Sequence, residues 1–210
     1  LYDTPVSAEE LVDLRRQLGL AHERVLLFVG RLQEEKGVDV LLDAVRLLTA
    51  QNERPDVAVF IIGRGPLQST LQDVCNRHGL SSVRFLDYVP NTALYKYYRL
   101  ADALIVPSVT TRVFKEPWGL IVNEAMNQGC VVIASDAVGA ARGGLLEHER
   151  TGLVVPEGDA TALAAAMRRV LSDSALHARL SEAARTEIAR WTYARMARGF
   201  IDAVAHVTQS

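Results

Sequence analysis

The sequence predicts an α/β fold, a doubly wound domain with one parallel six-stranded sheet and a helical C-terminal tail. Three observations carry this. Short apolar segments of strand length alternate with longer segments of helical period. The strand segments are apolar throughout rather than at every second residue, as in parallel sheets covered on both faces. After Gly158 the alternation gives way to helix. The expectation is a single Rossmann-like domain over residues 1–210, with a core of about 22–172 and a tail of about 174–206.

The elements follow in order. Residues 24–30 contain the run Val-Leu-Leu-Phe-Val and read as the first strand. Val38, Leu41, Leu42, Val45 and Leu48 then recur at helical spacing. Residues 57–62 form a second strand and 67–78 a second helix. Residues 83–89 form a third strand, followed by a short tyrosine-rich helix over 91–100. Residues 103–106 and 131–134 are the fourth and fifth strands, with a helix carrying Glu124 between them and ending near Gln128 and Gly129. Residues 153–155 are a short sixth strand. Asp159 is placed to cap the first tail helix, whose apolar face is Leu163, Ala166, Met167, Val170 and Leu171. Two further helices are expected over about 174–190 and 192–206.

Composition narrows the function classes. The 210 residues are 49% hydrophobic and 23% charged, enough to bury a sizeable core. The net charge of −2 and pI of about 6.2 give no general basic footprint for nucleic acid. Cys75 lies on an apolar helix face with Leu67, Leu71 and Val74, and Cys130 opens a strand. Both read as reduced core residues, which favours a reducing compartment. The histidines His22, His78, His148, His177 and His206 show no metal-ligand spacing. No apolar run has membrane-spanning length. The start, Leu1-Tyr2-Asp3-Thr4-Pro5, has no initiator Met or signal pattern and reads as the middle of a longer protein.

The most informative run is Glu116-Pro117-Trp118-Gly119-Leu120-Ile121-Val122-Asn123-Glu124. It joins the fourth strand to the following helix, and two carboxylates bracket the junction. Open α/β sheets bind ligands at such junctions, and carboxylates there accept hydrogen bonds from hydroxyl groups. The neighbours of Glu124 are Leu120, Ile121, Val122, Ala125 and Met126, so its carboxylate needs a partner. The fold class implies a strand order 3-2-1-4-5-6, in which strands one and four meet at the switch point. The loop over 30–36 then faces the loop over 108–119. Arg31 and Lys36 stand in the first of these, beside Gly30 and Gly37. They suit phosphate oxygens, or equally a solvated loop pairing with Glu34 and Glu35.

These residues resemble a known family. Glu116 and Glu124 match the E-x7-E signature of retaining glycosyltransferases of GT-B architecture, family 4 in particular (glycosyl transferases group 1). Phe28-Val29-Gly30-Arg31-Leu32 with Lys36-Gly37 resembles the family's G-R-L…K-G element. Ile61-Ile62-Gly63-Arg64-Gly65-Pro66 resembles its second glycine loop. Residues 131–136 and 151–156 match two later landmarks, five motifs in the family's order.

The resemblance implies a nucleotide-sugar-binding domain, the C-terminal half of a GT-B enzyme. It implies that Arg31 and Lys36 hold the donor diphosphate, that Glu116 contacts the transferred sugar and that Glu124 binds the ribose. Gly30 and the backbone of Trp118, Gly119, Leu120 and Ile121 would face the donor. Tyr88 and Val89 would border the base, with Asp87 where Gly is more usual, and Arg64 would line the site. Gly65 is read as an ordinary strand-to-helix turn, with Pro66 at the first helical position. Gly139-Ala140-Ala141-Arg142 departs from a common Gly-Gly pair. Glu147 and His148 read as helix-end surface residues, and Tyr95, Tyr97 and Tyr98 as packing and surface.

The implied reaction takes a sugar from a UDP- or GDP-sugar with retention, without metal or other cofactor. The acceptor is a glycan, a lipid or a small molecule. The acceptor-binding N-terminal domain would lie outside this chain. The expected setting is cytoplasmic, with any contact with the inner membrane made through that missing domain. The last helix would cross to it, leaving apolar residues such as Met196 and Phe200 exposed or refolded here. The isolated chain is expected to bind nucleotide weakly and to transfer little. The rivals are a related GT-B epimerase or phosphorylase and a non-catalytic nucleotide-sugar-binding module. A dinucleotide oxidoreductase is disfavoured, because Gly30-Arg31-Leu32-Gln33-Glu34-Glu35 lacks the G-x-G-x-x-G pattern.

Overall fold

The computed structural model describes residues 4–50 and 56–208, except for the side chains of Phe200, Ala203 and Thr208. Its core is a six-stranded sheet built from β1 (Arg24–Val29), β2 (Val57–Ile62), β3 (Val83–Leu86), β4 (Ala103–Val106), β5 (Val131–Ser135) and β6 (Leu153–Val155). All neighbours are parallel and the order is β3-β2-β1-β4-β5-β6. This is the order expected from the fold class, with β1 and β4 adjacent at the reversal.

Alternate side chains of each strand feed two separate cores. Leu26, Phe28, Val59, Ile61, Ile105 and Ile133 pack on one face. The helices there are α2 (Val38–Thr49), α3 (Gln68–His78) and α7 (Ala160–Ser172). Leu27, Phe60, Leu104 and Val132 pack on the other. That face is covered by α4 (Asn91–Leu100), α5 (Leu120–Asn127), a single turn α6 (Gly139–Arg142) and part of α8 (Ser174–Ile188). Helices cover both faces, which is why the strands other than the half-buried β3 are apolar almost throughout. Cys75 and Cys130 are buried free thiols, and burial pushes the Cys75 thiol up to about 11.

The structure corrects the sequence reading in four places. Helix α1 (Ala8–Gln17) precedes the expected core, nucleated by a reciprocal cap between Ser7 and Glu10. Strand β3 stops at Leu86, because Asp87 turns out to take Arg64 and Gln68 (3.4 and 3.0 Å). Helix α3 starts at Gln68, so Pro66 lies in the turn before it. Glu147 and His148 lead into a turn before β6; His148 bridges to Gly152 and its Nδ1 accepts from Val154 N–H.

Beyond Gly158 the chain is helical as expected, with Asp159 capping α7 through Ala162 N–H. Helix α7 packs on the sheet and on α2, and α8 packs on α5. Helix α9 (Tyr193–Thr208) carries an exposed stripe of Tyr193, Met196, Val204 and Val207. Phe200, expected in that stripe, has its side chain outside the described residues. Among the described residues, no helix is long and apolar enough to cross a membrane.

Candidate active site

The loops after β1 and β4 touch at the sheet's carboxyl edge. A short 3-10 turn (Glu34–Lys36) ends at Gly37, whose φ of +61° is left-handed. A Cβ there would sit 2.0 Å from the Pro107 carbonyl, so only glycine lets the two loops approach this closely. Val109 N–H donates to the Glu35 carbonyl across the same seam (3.0 Å).

That seam brings Lys36 onto Glu116. The two form a direct ion pair, with side chains only 19% and 11% exposed. The Phe114 ring covers the ammonium from 5.4 Å. The residues are 80 positions apart in sequence, and the β1–β4 register makes them neighbours. Arg31 behaves differently. It is exposed on the rim, with Glu35 3.9 Å away.

Glu116 is held by its own backbone. Gly139 N–H donates to the Glu116 carbonyl (3.1 Å) and Ala140 N–H to the Trp118 carbonyl (2.9 Å). A Cβ on Gly139 would lie 1.8 Å from the Pro117 carbonyl. The segment that departs from the common glycine pair therefore pins the Glu116–Trp118 loop through main-chain contacts. Gly119 then turns the chain into α5 with φ +84°. Among the described residues no side chain caps this helix start, and the first N–H groups of a helix have no intrahelical acceptor. They carry its partial positive charge. Leu120 is exposed there and Ile121 half-buried.

Glu124 lies one turn further along α5. Its carboxylate accepts a hydrogen bond from the buried Tyr98 hydroxyl at 2.7 Å. Tyr98, expected with Tyr95 and Tyr97 to serve packing and surface, is buried and takes a hydrogen-bond partner from a different helix. Trp118 donates from its indole N–H to Asn123 Oδ1 (2.8 Å), and its ring centroid lies 5.2 Å from that of Trp191. Trp191 in turn donates to Glu187 (3.1 Å). Burial works to raise the Glu187 carboxyl, but the bonds from Trp191 and Arg150 outweigh it and hold the group below the usual carboxylate range. An open cavity of about 910 Å³ lies beside these rings, between α5 and the start of α9. Its lining includes Leu120, Glu124 and Tyr193.

The remaining expected residues sit at the periphery. Gly30 N–H donates to the Ile62 carbonyl (3.0 Å), and a Cβ on Gly63 would lie 1.9 Å from the Gly30 carbonyl. Gly65 is more than an ordinary turn, because a Cβ there would strike the Leu32 carbonyl at 2.3 Å. The loops after β1 and β2 are thus packed main chain to main chain. Arg64 is turned to Asp87 on the surface; Tyr88 is 70% exposed and Val89 is buried. Among the described residues no three His, Cys, Asp or Glu side chains form a metal-ligand group.

Residues 13–187 match the family model described as Glycosyl transferases group 1. The chain belongs to that family. A D-inositol 3-phosphate glycosyltransferase of Corynebacterium glutamicum is 36% identical over 203 residues, covering 91% of this chain and 47% of the relative. The chain spans about half the length of the curated relatives it matches. Among solved structures, Anabaena Alr3699/HepE in complex with UDP-glucose has a TM-score of 0.78 at 26% identity, over 88% of this chain and 49% of the other. Sucrose-phosphate synthase from Thermosynechococcus elongatus has a TM-score of 0.76 at 29% identity, over 94% and 49%. The glycosyl transferases group 1 membership accords with the motif order, and the GT-B C-terminal architecture with the sheet.

Proposed function

We propose that this chain is the donor-binding domain of a retaining glycosyltransferase that moves a sugar from a nucleoside diphosphate to an acceptor. One observation carries the reading. Lys36 and Glu116, from the two switch-point loops, meet beside the uncapped start of the helix that bears Glu124. Lys36, with Arg31 from the rim, takes the diphosphate. Glu116 reads hydroxyls of the sugar and Glu124 those of the ribose. Gly30, the main chain over 118–121 and Arg64 line the donor, with Tyr88 and Val89 at the base.

In the reaction the bond from sugar to phosphate lengthens, the ring gains positive charge and the diphosphate gains negative charge. Lys36 and the start of α5 stabilise the latter, an electrostatic role. The residues assigned here do this without a metal. Acceptor recognition, whether of glycan, lipid or small molecule, is assigned to the half of the relatives' length not represented here. The isolated chain should then bind nucleotide weakly and transfer little. The buried thiols accord with action in the cytoplasm.

Calorimetric titration with UDP and GDP tests the assignment. Saturable binding of one of them, weakened at least about tenfold in Lys36→Ala, is expected. Binding of neither would overturn the reading.

A further inference from the structure

The cation that should grip the diphosphate already has a counter-ion. Lys36 and Glu116 are mostly shielded from water, and Phe114 covers one side of the ammonium. An ion pair in such surroundings is costly to part, because either charge left alone is poorly solvated. Both backbones are fixed, Lys36 by its bond to the Gln33 carbonyl and the Gly37 turn, Glu116 by Gly139 N–H. Only the side chains can yield. A phosphate that takes the ammonium therefore comes up against a carboxylate that cannot retreat far.

We propose that Glu116 is an internal competitor for Lys36 that admits the sugar-bearing donor and expels the bare diphosphate product. The inference rests on the reading of Lys36 as the phosphate-binding group. With the intact donor bound, sugar hydroxyls donate to the carboxylate and replace the ammonium it has given up. After transfer the sugar leaves with the acceptor. Glu116 then has no donor from the ligand, and it faces a diphosphate carrying more negative charge than its sugar ester did. Like charges at short range in a shielded site repel strongly. Glu116 recovers Lys36, and the product departs. A residue that merely touched the sugar would not affect binding of the free nucleoside diphosphate. A competitor for Lys36 opposes it.

The test is calorimetry and stopped-flow dissociation on this chain with UDP, GDP and their glucose esters, comparing wild type with Glu116→Gln and Lys36→Ala. Glu116→Gln should bind the free diphosphate that wild type prefers about tenfold more tightly. It should also release it more slowly, while gaining nothing for the glucose ester. Glu116→Ala, checked for folding by circular dichroism, should shift the free diphosphate in the same direction. If both Glu116 variants bind it no tighter than wild type while Lys36→Ala loses it, the competitor role is wrong and the donor site stands. If Lys36→Ala binds it like wild type, or wild type binds neither diphosphate, the donor reading falls and this inference with it.

Discussion

At its carboxyl end helix α5 is tied down by side chains of α8. Ser181 Oγ donates to the Gly129 carbonyl (2.6 Å) and Arg185 to the Gln128 carbonyl (3.2 Å). At its amino end the same helix starts from a left-handed glycine with no side-chain cap. The four orphan groups at each end of a helix are equivalent in number, so the asymmetry is a matter of what is left to do. Carbonyls at the far end are satisfied internally, which fixes the helix against α8. At the near end Val122 N–H donates to the Gly119 carbonyl (2.9 Å), and among the described residues no side chain caps the start. One end anchors; the other is the one proposed to meet an anion.

The sharpest way to break this contrast is to disturb what supports the open end. Gly139→Ala forces a Cβ into the Pro117 carbonyl. We expect a loss of about 3 kcal/mol in urea unfolding, as for other overpacked sites, together with loss of nucleotide binding in the folded fraction. Tyr98→Phe removes the hydroxyl that orients Glu124. It should cost about 1 kcal/mol of stability and weaken nucleotide binding in a titration.

Arg185→Ala acts at the closed end. It should cost about 1 kcal/mol in the same unfolding assay and leave nucleotide affinity unchanged. If it lowers affinity as much as Tyr98→Phe, the two ends are not independent and the contrast fails. The smallest effect is expected on α9, where Met196 is 56% exposed. Met196→Ser should change the melting free energy of this chain by no more than about 0.5 kcal/mol.

Much of this contrast could be read from the sequence, and what could not has a physical reason. The strands announced themselves because burial on two faces demands unbroken apolar runs. The helix bearing Glu124 and the need of its carboxylate for a partner were legible for a similar reason. Helix α1 was missed because its stretch, Ala8–Gln17, is mostly polar and buries only Leu14. Its signal was the spacing of Ser7 and Glu10. Strand β3 was overrun because Tyr88 and Val89 have strand-like side chains, while the turn is set by what Asp87 binds. The Lys36–Glu116 pair and the hydroxyl of Tyr98 depend on the register of elements far apart in the chain. No local pattern encodes a partner across such a distance. The main-chain clamps from Gly139 and Ala140 are harder still: the close approach demands a glycine at 139, but a glycine does not name the carbonyl it meets.

The contact between Trp118 and Trp191 has a practical consequence. These are the only two tryptophans in the chain, and their ring centroids lie 5.2 Å apart at the edge of the cleft. Indoles this close couple electronically, so emission excited at the red edge of the absorption band, where the six tyrosines absorb little, comes from this pair. If the donor binds as proposed, its occupancy, or a shift at the start of the tail, can be followed optically in the native polypeptide with no label attached.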